Sequence, residues 1–153
     1  MERAFARIDL GALRANCERL RVELGDGRLC AVVKADGYGH GAAACAEAAV
    51  AGGASALAVA TAAEAAELAA AGVLGVHQTD AVGTNSLRDG AVDLLTLGAL
   101  TDDEVDIVLG AGSAISVWAP RFLDLVAARA RAAGRPARVH VKHDSGMGRL
   151  GTF

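Results

Sequence analysis

Lysine is scarce in this chain, and both copies stand where an amine could do chemistry. Of fifteen basic residues thirteen are arginine, and the only lysines are Lys34 and Lys142. Arginine stays protonated at any ordinary pH, whereas a lysine amine can lose its proton and add to a carbonyl to form a Schiff base. Each lysine closes an apolar, β-branched run and is followed by an Asp and several glycines. The first run reads Ala31-Val32-Val33-Lys34-Ala35-Asp36-Gly37-Tyr38-Gly39-His40-Gly41. The second reads Val139-His140-Val141-Lys142-His143-Asp144-Ser145-Gly146-Met147-Gly148-Arg149-Leu150-Gly151. Glycines let backbone approach a bound group closely. In the first loop the Tyr38 hydroxyl can donate to a phosphate, and in the second the Arg149 guanidinium can bind a phenolate or a carboxylate. A strand-end lysine that simply reaches solvent is the plain alternative. The recurrence of lysine and glycine loop at two places weighs against it.

The elements that must position these residues alternate between helical and strand periods. Asp9 caps a predicted helix with apolar positions Leu10, Leu13, Cys17 and Leu20. A strand follows over Leu29–Lys34, then an Ala-rich helix over Gly41–Val50. A second strand spans Ser55–Ala60, and Thr61-Ala62-Ala63-Glu64 reads as a capping box opening a helix that Gly72 ends. Asp93–Gly98 is a third strand, and Thr101-Asp102-Asp103-Glu104 a second capping box for a helix to about Leu109. Ala114–Ala119 is a fourth strand, and Pro120 suits the first turn of a helix that Gly134 stops. Arg138–Lys142 is a fifth strand. Between Leu74 and Ala91 neither period holds, and this atypical segment reads as an insertion, a lid or an artefact of the reading frame.

Strands alternating with helices predict an α/β chain with a parallel sheet, either doubly wound or part of a (β/α)₈ barrel. A full barrel takes roughly 250 residues, so about five of its strands fit here. In either arrangement ligands bind beyond the C-terminal ends of the strands, where both lysines fall.

Composition narrows the function classes. At 153 residues, 53% hydrophobic and 22% charged, the chain has the make-up of one globular domain. A net charge of −3 and few aromatics argue against a nucleic-acid surface. Glu47, Glu64 and Glu67 interrupt the Ala-rich stretch, so no membrane span is expected, and Met1–Arg7 lacks the apolar core of a signal peptide. Cys17, Cys30 and Cys45 read as free buried thiols, which suits a cytoplasmic protein. His40 reads as a neighbour of the lysine loop rather than a proton carrier. His77, His140 and His143 show no metal-ligand spacing, so no metal is expected.

The run from Ala31 to Gly41 closely resembles the pyridoxal-phosphate lysine signature of the alanine racemases. Val139–Gly151 is similar to that family's second motif, and Arg7-Ile8-Asp9-Leu10 with Asn16 is similar to its start. The resemblance spans nearly the whole chain except Leu74–Ala91. It implies a (β/α)₈ barrel, here incomplete and without the β-rich C-terminal domain, and a homodimer for the full-length family. It also implies interconversion of L- and D-alanine with pyridoxal 5'-phosphate, supplying D-alanine for the cell wall. On these positions Lys34 would hold the cofactor and serve as acid and base on one face of the substrate. Tyr38 would bind its phosphate, and Arg149 would contact its phenolic oxygen and lie near the substrate carboxylate. Lys142 matches a lysine that is carbamylated in some members and positions that arginine.

Racemisation needs proton carriers on both faces of the α-carbon. The family's second carrier is a tyrosine of the β-rich domain, and this chain's one tyrosine, Tyr38, belongs to the lysine loop. The expectation is therefore an N-terminal part of such an enzyme, inactive alone. The alternatives are a non-catalytic pyridoxal-phosphate carrier of the same barrel fold, a truncated product without function, and a decarboxylase of related barrel fold.

Overall fold

Five short strands pair in the order in which the chain makes them. The computed structural model describes residues 4–74 and 91–152. Its elements run α1 (Leu10–Glu23), β1 (Cys30–Val32), α2 (Lys34–Gly39), α3 (Ala42–Ala51), β2 (Ala56–Val59) and α4 (Ala62–Ala70). Then follow β3 (Asp93–Thr96), α5 (Glu104–Gly110), β4 (Ala114–Val117), α6 (Pro120–Ala132) and β5 (Val139–Val141). The sheet order is β1-β2-β3-β4-β5, and every pairing is parallel. A doubly wound sheet reverses its order at a switch point. No reversal occurs here, and the monotonic order is that of a barrel. This decides between the two arrangements that periodicity left open.

Alternation along the strands sorts side chains into two layers. Leu57 sits across from Leu94, and Val59 across from Thr96, with one face of both strands turned to the helices. Leu57, Val59 and Leu94 join Val33, Ala42, Cys45, Ala46, Ala65 and Leu68 in one core cluster. Ala46 and Ala65 are fully buried, and their small side chains let α3 and α4 lie close to the sheet. A second cluster gathers Val105, Val108, Ile115, Val117 and Val126 between α5, α6 and β4. Burying a leucine such as Leu57 stabilises the fold by about 1.5–3 kcal/mol. Polar atoms inside the core are paired: the Thr96 and Ser113 hydroxyls share a hydrogen bond of 2.9 Å, and the Ser116 hydroxyl donates to the Thr96 carbonyl at 2.9 Å.

An ionic cluster ties the first, third and fifth strands at their N-terminal ends. The Asp93 carboxylate receives Arg28 through Oδ2 at 2.7 Å and Arg138 through Oδ1. Arg28 also donates to the Ser55 hydroxyl and carbonyl, and Arg138 to the Gly112 carbonyl at 2.7 Å. A single carboxylate thus reaches arginines flanking both edge strands.

The predicted elements hold with shorter strands and some corrections. Asp9 caps α1 by accepting from the Ala12 N–H at 2.9 Å, but only Cys17 of the helix is buried, and Leu20 stands largely exposed. The Thr61–Glu64 capping box forms in full. The Thr101–Glu104 box forms only in part: the Glu104 carboxylate takes the Thr101 N–H, while the helix starts at Glu104 after Asp103. Pro120 opens α6 as expected. Cys17 and Cys45 are buried free thiols, whereas Cys30 is exposed. It lies on the face of edge strand β1 that no helix of the described residues covers. Apart from its ends, the 74–91 segment lies outside the described residues.

Candidate active site

Lys34 does not end a strand, as periodicity predicts, but opens a turn of unusual hand. β1 stops at Val32, and the Val33 N–H still reaches across to the Ala58 carbonyl at 2.9 Å. From Ala35 to Tyr38 all four residues have φ between 52° and 60° and ψ between 38° and 52°, a left-handed helical turn. Three of them are not glycine, and the left-handed conformation costs roughly 1–2 kcal/mol for each such residue. The turn must therefore be held from outside. The Gly37 N–H donates to the Val33 carbonyl and the Gly41 N–H to the Asp36 carbonyl, both at 2.9 Å. The Asp36 carboxylate accepts from the Ala42 N–H at 2.8 Å, fastening the turn to the start of α3.

The remaining restraint comes from the next loop along the sheet. Glu64 Oε1 accepts from the Ala35 N–H at 2.7 Å, while Oε2 accepts from Ala60 at 2.7 Å and Thr61 at 3.1 Å. Burial pushes this carboxyl up, but the backbone donors of Ala60, Ala35 and Thr61 outweigh it and hold it below its ordinary range. Lys34 is half-buried, and Tyr38, the last left-handed residue of the turn, is 59% exposed. Gly39 and Gly41 have positive φ and open space where a side chain would stand, so backbone lies bare beside the tyrosine.

Lys142 lies one residue beyond β5, its N–H donating to the Val117 carbonyl at 2.8 Å. The loop after it closes on itself. Thr152 donates to the Lys142 carbonyl at 2.9 Å and accepts from the Asp144 N–H at 2.8 Å. Inside this closure the buried Asp144 carboxylate accepts from Gly146 at 2.9 Å, Met147 at 2.8 Å and Arg149 at 3.0 Å. The Gly146 donor chiefly, against some burial and with Arg149, Met147 and Gly148 helping, holds the Asp144 carboxyl below its ordinary range. The backbone of Arg149 is thereby fixed and its side chain left exposed. A Cβ on Gly151 would come within 2.6 Å of the Asp144 nitrogen, so the closure needs glycine there.

Lys34 and Tyr38 follow β1, and Lys142 and Arg149 follow β5, so the two pairs stand at the same end of the sheet and at its opposite edges. In a flat sheet four inter-strand steps would separate them by roughly 19 Å. Sequence reasoning names all four residues but not the carboxylates that hold them. The aspartate two residues after each lysine was the available signal for Asp36 and Asp144. Glu64 shows in the sequence only as a helix cap. Among the described residues no group of three or more His, Cys, Asp or Glu could hold a metal, and no helix is long and apolar enough to cross a membrane.

A parallel sheet in barrel order, with amines and glycine loops at the C-terminal ends of its strands, defines a barrel-type α/β domain with a candidate site at that end. Residues 8–153 match the family model described as alanine racemase, N-terminal domain, and the chain belongs to that family. It is 40% identical over 149 residues to the alanine racemase of Frankia casuarinae, covering 97% of this chain and 34% of that one. It is 43% identical over 156 residues to the alanine racemase of Streptomyces coelicolor, covering 97% and 35%. The solved structure of alanine racemase from Streptomyces coelicolor A3(2) superimposes with a TM-score of 0.79 at 40% identity, over 95% of this chain and 35% of that one. The enzyme from E. faecalis gives 0.77 at 33% identity, over 95% and 35%. The chain thus spans about a third of the length of these relatives.

Proposed function

We propose that this chain carries the lysine-bearing part of an alanine racemase site that works with pyridoxal 5'-phosphate on L- and D-alanine. The observation that carries the reading is the placement of Lys34: a half-buried residue just past the C-terminal end of the first barrel strand, followed by a left-handed turn. The residues present suit that cofactor. A primary amine, an exposed phenol beside bare glycine backbone and an exposed guanidinium answer an aldehyde, a phosphate and a phenolic oxygen. When bound, the cofactor would delocalise the electron pair left as the α-proton departs. Lys34 Nζ would bind it covalently and then carry that proton on one face of the α-carbon. The Tyr38 hydroxyl would donate to the phosphate. Arg149, held by the Asp144 loop, would face the phenolic oxygen and the substrate carboxylate. Lys142 would support Arg149, and carbamylation would give it a negative charge for that purpose.

The intact Asp144 loop around Arg149 favours a racemase over a simple carrier of the cofactor, which needs the lysine alone. The free thiols accord with a reducing cytoplasm, and a homodimer is expected of the full-length enzyme. Because the second proton carrier belongs to a part of the family's chain not represented here, these residues alone should not racemise alanine. Borohydride reduction with pyridoxal phosphate followed by peptide mapping tests the reading. An adduct on Lys34 is expected; labelling of neither lysine would sink it. Appreciable alanine racemisation by the purified chain would overturn the requirement for a second carrier.

A further inference from the structure

Glu64 does more than cap its helix. As the third residue of α4 it completes a capping box with Thr61, and one carboxylate oxygen suffices for that, accepting from Ala60 and Thr61. Its other oxygen leaves the helix and takes the Ala35 N–H, 29 residues away in sequence, at 2.7 Å. Ala35 is the first left-handed residue after Lys34. The first amides of any helical turn lack partners within it, and the Ala35 amide lies next to the residue whose side chain must be aimed. From this we propose that Glu64 is a positioning residue for Lys34: its carboxylate bridges the β2–α4 loop to the lysine turn and sets where the amine points.

This rests on the reading of Lys34 as the cofactor lysine, and it makes a chemical demand that capping alone does not. Both oxygens must accept. A glutamine offers one oxygen and one NH₂, so in either orientation a donor faces a donor, at Ala35 or at Ala60 and Thr61. An aspartate is one methylene shorter and cannot serve both sides from α4. The conservative variants should therefore fail to rescue. Thr61→Ala separates the two roles, since it removes the hydroxyl that accepts from the Glu64 N–H at 3.2 Å and leaves the Glu64–Ala35 contact in place.

The test uses the chain's two lysines against each other. The whole chain is treated with pyridoxal phosphate and borohydride, and the ratio of adduct at Lys34 to adduct at Lys142 is read by peptide mapping. Amide hydrogen exchange of residues 35–38 is followed in parallel. Glu64→Gln and Glu64→Ala should lower the ratio roughly tenfold, the scale of one lost charge-assisted hydrogen bond, and speed exchange in the turn. Thr61→Ala should leave both unchanged while loosening the first turn of α4. Equal effects of Thr61→Ala and Glu64→Gln would reduce Glu64 to a helix cap and overturn the proposal, as would an unaltered ratio in Glu64→Gln. If the wild-type chain shows no preference for Lys34, the cofactor reading falls. The exchange comparison then decides alone whether Glu64 holds the turn.

Discussion

Replacing Asp93 with asparagine should loosen the tie between the first, third and fifth strands. The Asp93 side chain is 21% exposed, and its partners Arg28 and Arg138 are 48% and 44% exposed. A fully exposed ion pair contributes only about 0.2–1 kcal/mol, whereas a hydrogen bond to a charged group out of water contributes about 1.5–3 kcal/mol. Half-exposed guanidiniums on a mostly buried carboxylate fall between, so Asp93→Asn should cost about 2 kcal/mol in total. For a chain of this size that lowers the melting temperature by roughly 4–8 °C, readable by far-ultraviolet circular dichroism at neutral pH and low salt. In 1 M salt, where the Debye length is about 3 Å, the gap between variant and wild type should narrow. The same cluster predicts acid sensitivity. Burial raises the Asp93 carboxyl, but the hydrogen bonds and charge of Arg28 and Arg138 prevail and hold it below its ordinary value. A carboxyl lowered by folding adds stability above its unfolded pKa of about 3.9, and that stability is lost as pH falls through the lower folded value. Wild type should therefore lose its advantage over Asp93→Asn on acidification below about pH 4. Melting curves that coincide at neutral pH and low salt would refute the reasoning.

Other consequences can be checked directly. Gly151→Ala places a Cβ within 2.6 Å of the Asp144 nitrogen at a φ of 137°. It should open the second loop, with faster amide exchange at Gly146, Met147 and Arg149 and about 1–3 kcal/mol of lost stability. Unchanged exchange there would contradict the closure. Cys30 is the exposed thiol of three, so a thiol reagent should modify it first in the native chain, with Cys17 and Cys45 reacting only on unfolding; equal rates would mean the α1–α3 packing is wrong.

Much of this architecture was legible because its signals are local. Apolar runs of four to six residues mark the strands, and capping chemistry at Asp9, Thr61 and Pro120 marks the helix starts. Lys34 and Lys142 declare themselves by composition. What was hidden depends on contacts between residues far apart in sequence. Nothing near Asp93 signals that its partners lie 65 and 45 residues away. A left-handed turn through Ala35, Asp36 and Tyr38 contradicts the intrinsic preference of all three residues, and Glu64, one of the groups that hold it, sits on another element. Strand ends were overextended by one or two residues because an apolar residue such as Val33 packs in the core whether or not its backbone pairs as a strand.

The sequential strand order also sets a timetable. Each strand pairs with the one made just before it, so a chain emerging from the ribosome always finds its next docking edge already present. The turn after Lys34 is the first part of the site to be synthesised, yet it waits for α4 to deliver Glu64. The tie across the sheet comes later still, when Arg138 emerges and reaches Asp93. The order of synthesis is therefore lysine, brace, then tie.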